Sequence, residues 1–210
     1  MSLDPAQPDL FAPPDRVAPP ALAGLSVVAE LVTPDEERAL IAAIEATGLA
    51  PFRFHGWLGK RLTASFGWHY DFASARLGPA APIPDWLLPL RGRAAGFAGL
   101  DPEALAQALL IRYDPGAGIG WHRDRPVFEH VIGTSFGAPA TMRFRRRRPG
   151  GFDRDALPLM PRGAYHLTGE ARHRWEHSIA PLPATRWAIT FRSLSAQGRR
   201  LIGRSAIDFC

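Results

Sequence analysis

Short strand-like segments separated by turn-forming residues fill the second half of the sequence, and they limit its fold more than any other feature. From Ala108 onward, apolar and β-branched runs alternate with clusters of Gly, Pro and Arg. The six runs are Leu109–Tyr113, Val131–Phe136, Thr141–Arg145, Ala164–Thr168, His177–Ala180 and Trp187–Ser193. Many short strands at this spacing are typical of a β-sandwich or β-barrel. The sequence therefore predicts a mainly β (α+β) protein.

The N-terminal half has a proline-rich segment and helix signals, and this pattern predicts an extension of the β core. Residues 1–24 contain six prolines and no periodic apolar pattern, which predicts a tail. Thr33, Pro34 and Glu36 form the signature of a capped helix start, and a second helix is expected around Trp86–Phe97. We therefore expect a single domain over residues 25–205. It divides into an N-terminal extension with a hairpin over 25–107 and a β core over 108–195.

Cysteine content and hydropathy exclude several classes of protein. The single cysteine, Cys210, rules out an intrachain disulfide framework and any multi-cysteine metal site. No run approaches the roughly 18 apolar residues of a membrane span, and the first residues do not resemble a signal peptide. We therefore expect a soluble, cytoplasmic protein without a membrane partner.

Positive charge is concentrated in the C-terminal half of the chain. Residues 1–111 carry 8 basic and 12 acidic side chains, whereas residues 112–210 carry 17 basic and 8 acidic ones. Such asymmetry points to an anionic partner, with nucleic acid as the first candidate. The alternative is compositional bias, because 24 of the 25 basic residues are arginine.

A His-x-Asp pair supplies two candidate metal ligands. If His122 and Asp124 lie on one strand, both side chains emerge on the same face. His177, at the start of another predicted strand, is the best-placed third ligand, and His166 and His173 are its rivals. Two imidazoles and one carboxylate form the facial triad of non-haem Fe(II) oxygenases.

Two arginines on the last predicted strand suggest a site for a small dicarboxylate. Arg186 and Arg192 are six residues apart, so both side chains point to one face, while Trp187, Ile189 and Phe191 point to the other. Two inward arginines are costly unless an anion meets them, and arginine binds carboxylates bidentately. The alternative is an exposed strand edge with solvated arginines.

Three blocks of the sequence closely resemble the AlkB-like Fe(II)/2-oxoglutarate-dependent dioxygenases, in that family's order and spacing. They are LLIRYDPGAGIGWHRD (109–124), PRGAYHLTGEARHRWEHSI (161–179) and RWAITFR (186–192). The segment KRLTASFGWHY (60–70) is similar to the family's preceding substrate-side hairpin. The resemblance implies a double-stranded β-helix, or jelly roll, with a helical and hairpin extension at its N-terminus.

The resemblance also implies cofactors and residue roles. His122, Asp124 and His177 would bind Fe(II). Arg186, assisted by the Tyr113 hydroxyl, would bind the distal carboxylate of 2-oxoglutarate. Arg192 would lie near the metal-chelating carboxylate, next to Asp124. At two inward positions where the family often has polar residues this chain has Ile111 and Ala188, so fewer hydrogen bonds would hold 2-oxoglutarate.

The implied reaction couples conversion of 2-oxoglutarate and O₂ to succinate and CO₂ with hydroxylation of a C–H bond. On an N-methyl group, the hydroxylated product would release formaldehyde, and the expected role is repair or modification of alkylated DNA or RNA. One alternative is the same chemistry on a protein or a small molecule. The other is a jelly-roll binding module without catalysis.

Four side chains are candidates for binding a substrate. Trp68 and Tyr70, on one face of the predicted hairpin, either sandwich a flat base or pack in the core. Arg123 either borders the substrate mouth or is solvated, and Arg143 is expected to face the site. The run Arg145–Arg148 precedes a predicted turn and either holds phosphates or is a solvated hairpin tip.

Overall fold

A computed structural model describes residues 22–54, 57–71 and 76–207 of the chain. The strands are β1 Leu25–Val28, β2 Ala50–Phe54, β3 Trp57–Phe66, β4 Trp68–Asp71, β5 Arg76–Pro79, β6 Gln107–Tyr113, β7 Ile119–His122, β8 Phe128–Gly137, β9 Ala140–Arg148, β10 Gly151–Leu159, β11 Ala164–Leu167, β12 Glu176–Ile179 and β13 Arg186–Leu194. The helices are α1 Pro34–Ala46, α2 Leu88–Ala98, α3 Gly169–His173 and α4 Ala196–Ile207. Single 3₁₀ turns lie at Asp85–Leu87 and Pro102–Ala104.

Two antiparallel sheets form the β core. The larger sheet has seven strands in the order β1-β11-β8-β13-β6-β3-β2, and the smaller has four in the order β10-β9-β12-β7. An apolar cluster with members on both sheets, including Val131, Ala188, Met142 and Phe144, fills the interior. The mainly β, jelly-roll prediction is confirmed. The extension is part of this architecture, because its strands β1, β2 and β3 belong to the larger sheet.

Helices cover the outer face of the larger sheet. The Thr33 side chain accepts from the Glu36 backbone while the Glu36 carboxylate accepts from the Thr33 backbone, which confirms the predicted capping box of α1. Ile44 of α1 and Leu90 of α2 pack with Ile189 of β13 in a second apolar cluster. The helices therefore cover the face of β13 that carries Ile189, and the opposite face of the strand is turned towards the smaller sheet.

Strand β13 alternates as its sequence predicted. Ile189 and Phe191 are buried against the helices, and Trp187 packs beside them. Ala188 faces the interior between the sheets and pairs in register with Ile111 of β6. Because side chains alternate along a strand, Arg186 and Arg192 share the interior face with Ala188.

Some elements differ from the sequence-based expectation. A strand over Gly151–Leu159 was not predicted, because its apolar residues are interrupted by Asp, Arg and Pro. Leu22, within the predicted tail, is buried in the core between the sheets. The rest of the tail, and Cys210, lie outside the described residues. Among the helices of the described chain, none has the length and apolar character needed to cross a membrane.

Candidate active site

His122, Asp124 and His177 come together at the open edge of the smaller sheet. His122 on β7 and His177 on β12 are register partners, and their rings are 4.3 Å apart between centroids. The Nε2 atom of His177 is 3.7 Å from Oδ2 of Asp124. The structure therefore gathers all three predicted metal ligands at one place.

Asp124 reaches this place from a loop and not from a strand, which corrects the expectation that His122 and Asp124 share one strand. Strand β7 ends at His122, and residues 123–125 lead to Pro126 without regular structure. The buried Arg172 of α3 fastens the loop, since its Nη2 donates to the backbone oxygens of Arg125 at 2.6 Å and Phe128 at 2.7 Å. Helix α3 thus fixes the path of the chain just after Asp124.

The protonation states of these three groups suit metal binding. Burial lowers the pKa of His122, and burial followed by the neighbouring His122 lowers the pKa of His177 to about 3. Burial alone would raise the pKa of Asp124, but Arg192 and then the two histidines hold it well below its usual range. Near neutral pH the site therefore offers two neutral imidazoles and one carboxylate, the forms that bind a metal.

Arg192 positions the Asp124 carboxylate. Its Nη2 lies 2.9 Å from Oδ1 of Asp124, and its Nη1 donates to Oε1 of Gln107 at 3.0 Å. Gln107 is in turn held by the backbone oxygen of Trp68, to which its Nε2 donates at 2.8 Å. Because Arg192 occupies Oδ1, the oxygen turned to His177 is Oδ2.

Arg186 carries the most deeply buried charge among the described residues. Its side chain is among the largest fully buried ones, with 2% of the residue exposed. Its Nη2 donates to the Ser135 hydroxyl at 2.8 Å, whereas Nε and Nη1 have no hydrogen-bond partner among the described residues. A buried guanidinium with two unmatched donors is destabilising unless an anion fills the space beside it. The site is therefore built to hold a carboxylate or a similar anion.

Tyr113 and Arg61 complete the polar wall around this space. The Arg186 guanidinium lies 5.2 Å from the Tyr113 ring centroid. Arg61 of β3 lies beside Tyr113 of β6, because Leu62 and Arg112 are register partners. Burial lowers the pKa of Arg61, and the nearby Tyr113 acts in the opposite direction. Arg61 was not among the predicted site residues. Its one signal was its position in the KRLTASFGWHY hairpin, whose inward face was not identifiable.

Tyr165 of β11 is a second residue that the sequence analysis missed. Burial, and then the charge of Asp124, raises the pKa of its hydroxyl to about 12, and Arg186 also acts on it. A Cβ atom on Gly133 of β8 would lie 2.4 Å from the Tyr165 ring, so only glycine leaves room for it. This close approach of two distant segments had no signature in the sequence.

The donor set fits Fe(II), although the side chains are not in coordinating positions. Among the described residues, no three or more His, Cys, Asp or Glu side chains are arranged as a ready metal site. One ring nitrogen of His122, Nδ1, lies 2.9 Å from the Gly120 backbone oxygen, which leaves Nε2 available. Two imidazoles and a carboxylate are the ligands of the facial triad.

The other histidines lie away from this centre. His166 is buried, and its Nε2 is 2.9 Å from Nδ1 of His130, with the two rings stacked. His173 meets Glu129 at 2.9 Å on the surface. His166 is thus a core histidine and His173 a surface residue, so neither rival of His177 lies at the candidate site. His130 is partly buried beside His166.

The four predicted substrate residues lie in two separate places. Trp68 and Tyr70 of β4 pack, partly buried, against an apolar cluster that contains Val127 and Leu194. This is the packing alternative of the sequence analysis.

Arg123 follows His122 and donates to the backbone oxygen of His173 at 3.4 Å. The expectation that Arg143 faces the site is wrong. Phe144 takes the inward position on β9, so Arg143 lies on the outer face and donates to the Ser178 hydroxyl at 3.1 Å.

Comparison with known families gives one extended match. The model of the 2OG-Fe(II) oxygenase superfamily matches residues 54–201, which is more than half of the chain. The match includes all three candidate metal ligands and both interior-facing arginines of β13.

Several curated proteins are similar to the chain. An uncharacterised protein of Acanthamoeba polyphaga mimivirus is 27% identical over 192 residues, which are 82% of this chain and 86% of that protein. The tRNA (carboxymethyluridine(34)-5-O)-methyltransferase ALKBH8 of Mus musculus is 29% identical over 75% of this chain and 24% of its own length. The alkylated DNA repair protein ALKBH8 homolog of Arabidopsis thaliana is 29% identical over 74% of this chain and 50% of its own. The chain thus spans at most half of these last two proteins.

The fold also has a counterpart among solved structures. The structure of OsALKBH1 superposes with a TM-score of 0.64, covering 84% of this chain and 98% of that chain at 15% identity. At this identity the likeness shows the shared fold.

Proposed function

The chain belongs to the 2OG-Fe(II) oxygenase superfamily, and on that premise we propose that it oxidises alkylated nucleic acid. Fe(II) is the metal, and 2-oxoglutarate and O₂ are the co-substrates. The reaction is oxidative removal of an N-alkyl group from DNA or RNA. The AlkB-like character of the chain favours this reaction among those known for the superfamily.

The buried Arg186 is the observation that carries the proposal. Its unmatched Nη1 and the second N–H of Nη2 form the terminal fork of the guanidinium, which fits one carboxylate of 2-oxoglutarate. Ser135 already accepts from Nη2, so the guanidinium is oriented before the ligand arrives. The Tyr113 ring lies 5.2 Å from the guanidinium, so its hydroxyl is a further candidate donor to the same ligand.

The remaining residues of the site hold the metal and orient the co-substrate. His122, Asp124 and His177 bind Fe(II), which supplies O₂ activation and C–H oxidation when bound. Arg192 keeps the Asp124 carboxylate ionised and turned to His177. Ile111 and Ala188, which pair in register, add apolar side chains to the interior face that carries Arg186 and Arg192.

Two further observations support a nucleic-acid substrate. The similar proteins include one named for tRNA methyltransfer and one named for alkylated DNA repair. The C-terminal half of the chain, which carries the site, holds 17 basic against 8 acidic residues. Such an excess attracts a polyanion through a charge interaction that depends on salt.

The proposal is tested by measuring succinate with Fe(II), 2-oxoglutarate and O₂, with and without N-methylated oligonucleotides, and formaldehyde in the same samples. We expect methylated oligonucleotide to stimulate succinate formation and to yield formaldehyde in step with it. Metal content after Fe(II) loading under anaerobic conditions provides a second readout.

His177→Ala should lose both bound metal and turnover, and His173→Ala is its matched control. His173 is a nearby surface histidine that meets Glu129, so its loss should change neither quantity. Succinate formation that no methylated oligonucleotide stimulates would refute the nucleic-acid substrate and leave a protein or a small molecule. Absence of succinate from the metal-loaded protein would refute the oxygenase and leave a binding module.

A further inference from the structure

The outer face of the smaller sheet carries a set of arginines that the candidate active site does not use. Met142 and Phe144 of β9 are buried, so the residues between and beyond them point outward. Arg154 of β10 is the register partner of Arg145, and Phe152 is the partner of Arg147. We name this surface the arginine face, and its members are Arg123, Arg143, Arg145, Arg147, Arg154, Trp121 and Phe152.

Two aromatic rings hold the guanidinium groups of this face in place. Arg143 and Arg145 lie 5.2 and 4.5 Å from the ring centroid of Trp121. Around Phe152 the corresponding distances are 4.8 Å for Arg145 and 5.8 Å for both Arg147 and Arg154. A guanidinium held on an aromatic ring has already lost part of its side-chain freedom, so binding a ligand costs it less entropy.

The arginine face has an excess of positive charge. Glu176 pairs with Arg145 at 2.6 Å. The other four arginines of the face make no ion pair with any described residue. The neighbouring Arg146 and Arg148 are different, since both pair with Asp153. Four arginines without a carboxylate partner on one sheet face favour an external anion.

A cavity on this face lies beside the segment that carries two of the proposed metal ligands. Five arginines, Phe152 and Glu176 line this cavity of about 350 Å³. One of the five is Arg123, which stands between His122 and Asp124 in the chain, and another is Arg147 near the β9–β10 turn. A strand bound along the cavity would therefore run close to the segment that carries His122 and Asp124.

We propose that the arginine face binds single-stranded nucleic acid, with the phosphates on the guanidinium groups and an adjacent base directed into the active site. The inference rests on the proposed function. Single-stranded nucleic acid is favoured over a duplex because Arg143, Arg147 and Arg154 are each held against one ring, so their other face is available to an unpaired base. A positive groove interleaved with aromatic rings is the usual platform for single strands, whereas a duplex keeps the faces of its bases stacked on one another.

Fluorescence anisotropy of a labelled single strand of about 12 nucleotides tests the proposal, with DNA and RNA versions and a duplex of the same sequence. The test variant is Arg147→Ala/Arg154→Ala, since neither residue touches the candidate active site. Each lost phosphate contact lowers the slope of log affinity against log salt by about 0.7. Two lost contacts make the advantage of the unmodified protein about sevenfold larger at 50 mM than at 200 mM salt.

The matched control is Arg38→Ala/Arg112→Ala, which removes the same charge on the helical side of the molecule. We expect it to bind single strands like the unmodified protein. In the succinate assay, the test variant should raise the KM for the methylated oligonucleotide and leave the KM for 2-oxoglutarate unchanged.

Two groups of results would overturn the inference. Equal salt slopes for the test variant and the unmodified protein would remove the arginine face as the contact surface. Binding of the duplex as tightly as the single strand would refute the single-stranded preference. If oligonucleotide still stimulates succinate formation in either case, the inference alone fails. If stimulation is absent from the unmodified protein, the proposed function fails with it.

Discussion

Replacing Arg186 by methionine should stabilise the ligand-free protein and weaken 2-oxoglutarate binding at the same time. Methionine has a similar length and no charge, so Arg186→Met removes a fully buried guanidinium that has one hydrogen bond and two unmatched donors. Exchanging buried charges for apolar side chains of similar volume often leaves stability unchanged or raises it by about 1–4 kcal/mol. A paired arginine would not give this gain.

The expected loss of binding follows from the terminal nitrogens of the same guanidinium. If Nη1 and the second N–H of Nη2 each donate to a carboxylate oxygen of 2-oxoglutarate, each bond contributes about 1.5–3 kcal/mol because both partners are charged. Together they contribute about 3–6 kcal/mol, which corresponds to a Kd raised roughly 150- to 20,000-fold. The changes in stability and in affinity therefore have opposite signs.

Calorimetry separates the two effects. Scanning calorimetry of the ligand-free protein should show a Tm that rises by about 2–4 °C for each kcal/mol gained. Anaerobic titration of the Fe(II)-loaded protein with 2-oxoglutarate should show the weakened binding. Addition of 2-oxoglutarate at 100 times its Kd should stabilise the unmodified protein by about 2.7 kcal/mol. It should leave the Tm of the variant unchanged.

Arg91 provides a matched control because it is buried but has partners. Its Nε donates to the Leu105 backbone oxygen at 3.1 Å, and its two terminal nitrogens meet the Glu103 carboxylate. Arg91→Met should therefore lower the Tm and leave 2-oxoglutarate binding unchanged. A lowered Tm for Arg186→Met with unaltered 2-oxoglutarate affinity would show that Arg186 is an ordinary structural arginine, and the reasoning would be refuted.

Three further predictions concern stability and the wall of the site. The pKa of Glu36 is lowered to about 2, first by its hydrogen bond to an arginine of α2, so its stabilising effect is complete above pH 4.5 and is lost as the pH falls to 2. Glu36→Gln should flatten the pH dependence of Tm in that range. Burial lowers the pKa of His166 to about 4, so the unfolded chain takes up a proton near pH 6.5 that the folded protein does not, and stability falls between pH 6.5 and 4. His166→Phe should reduce that fall. Gly133→Ala should cost about 1–3 kcal/mol and weaken 2-oxoglutarate binding because the new methyl group displaces Tyr165, whereas Gly120→Ala meets nothing within 4 Å.

Each of these three has a contrary result. If the Tm of Glu36→Gln falls below pH 4.5 as steeply as that of the unmodified protein, the Glu36 carboxylate has no effective partner in solution. A His166→Phe protein that still loses stability between pH 6.5 and 4 would assign the loss to another group. Equal unfolding free energies for the two alanine variants would show that the wall around Tyr165 is not tightly packed.

Local patterns in the sequence were sufficient to predict the elements that depend only on interactions between residues close in the chain. The capping box of α1 could be predicted because Thr33 and Glu36, on either side of Pro34, are close in the chain and satisfy one another's backbone groups. The two faces of β13 could be predicted because side chains alternate along a strand with a fixed period, which separates Arg186 and Arg192 from Ile189. His177 was the best-placed third ligand from its position at the start of a predicted strand, and the resemblance to a known family gave the three residues their Fe(II)-binding role.

Only the tertiary structure decided which groups from distant segments share an environment. Arg61 meets Tyr113 because β3 pairs beside β6 in the larger sheet, and Tyr165 fits against β8 because residue 133 is glycine. The direction of Arg143 was settled by Phe144 taking the inward position on β9. Charge in the sequence indicated which half of the chain meets an anion. Pairing between strands then divided the arginines into two groups. Arg186 and Arg192 face the interior at the site, whereas those of the arginine face point to the outside.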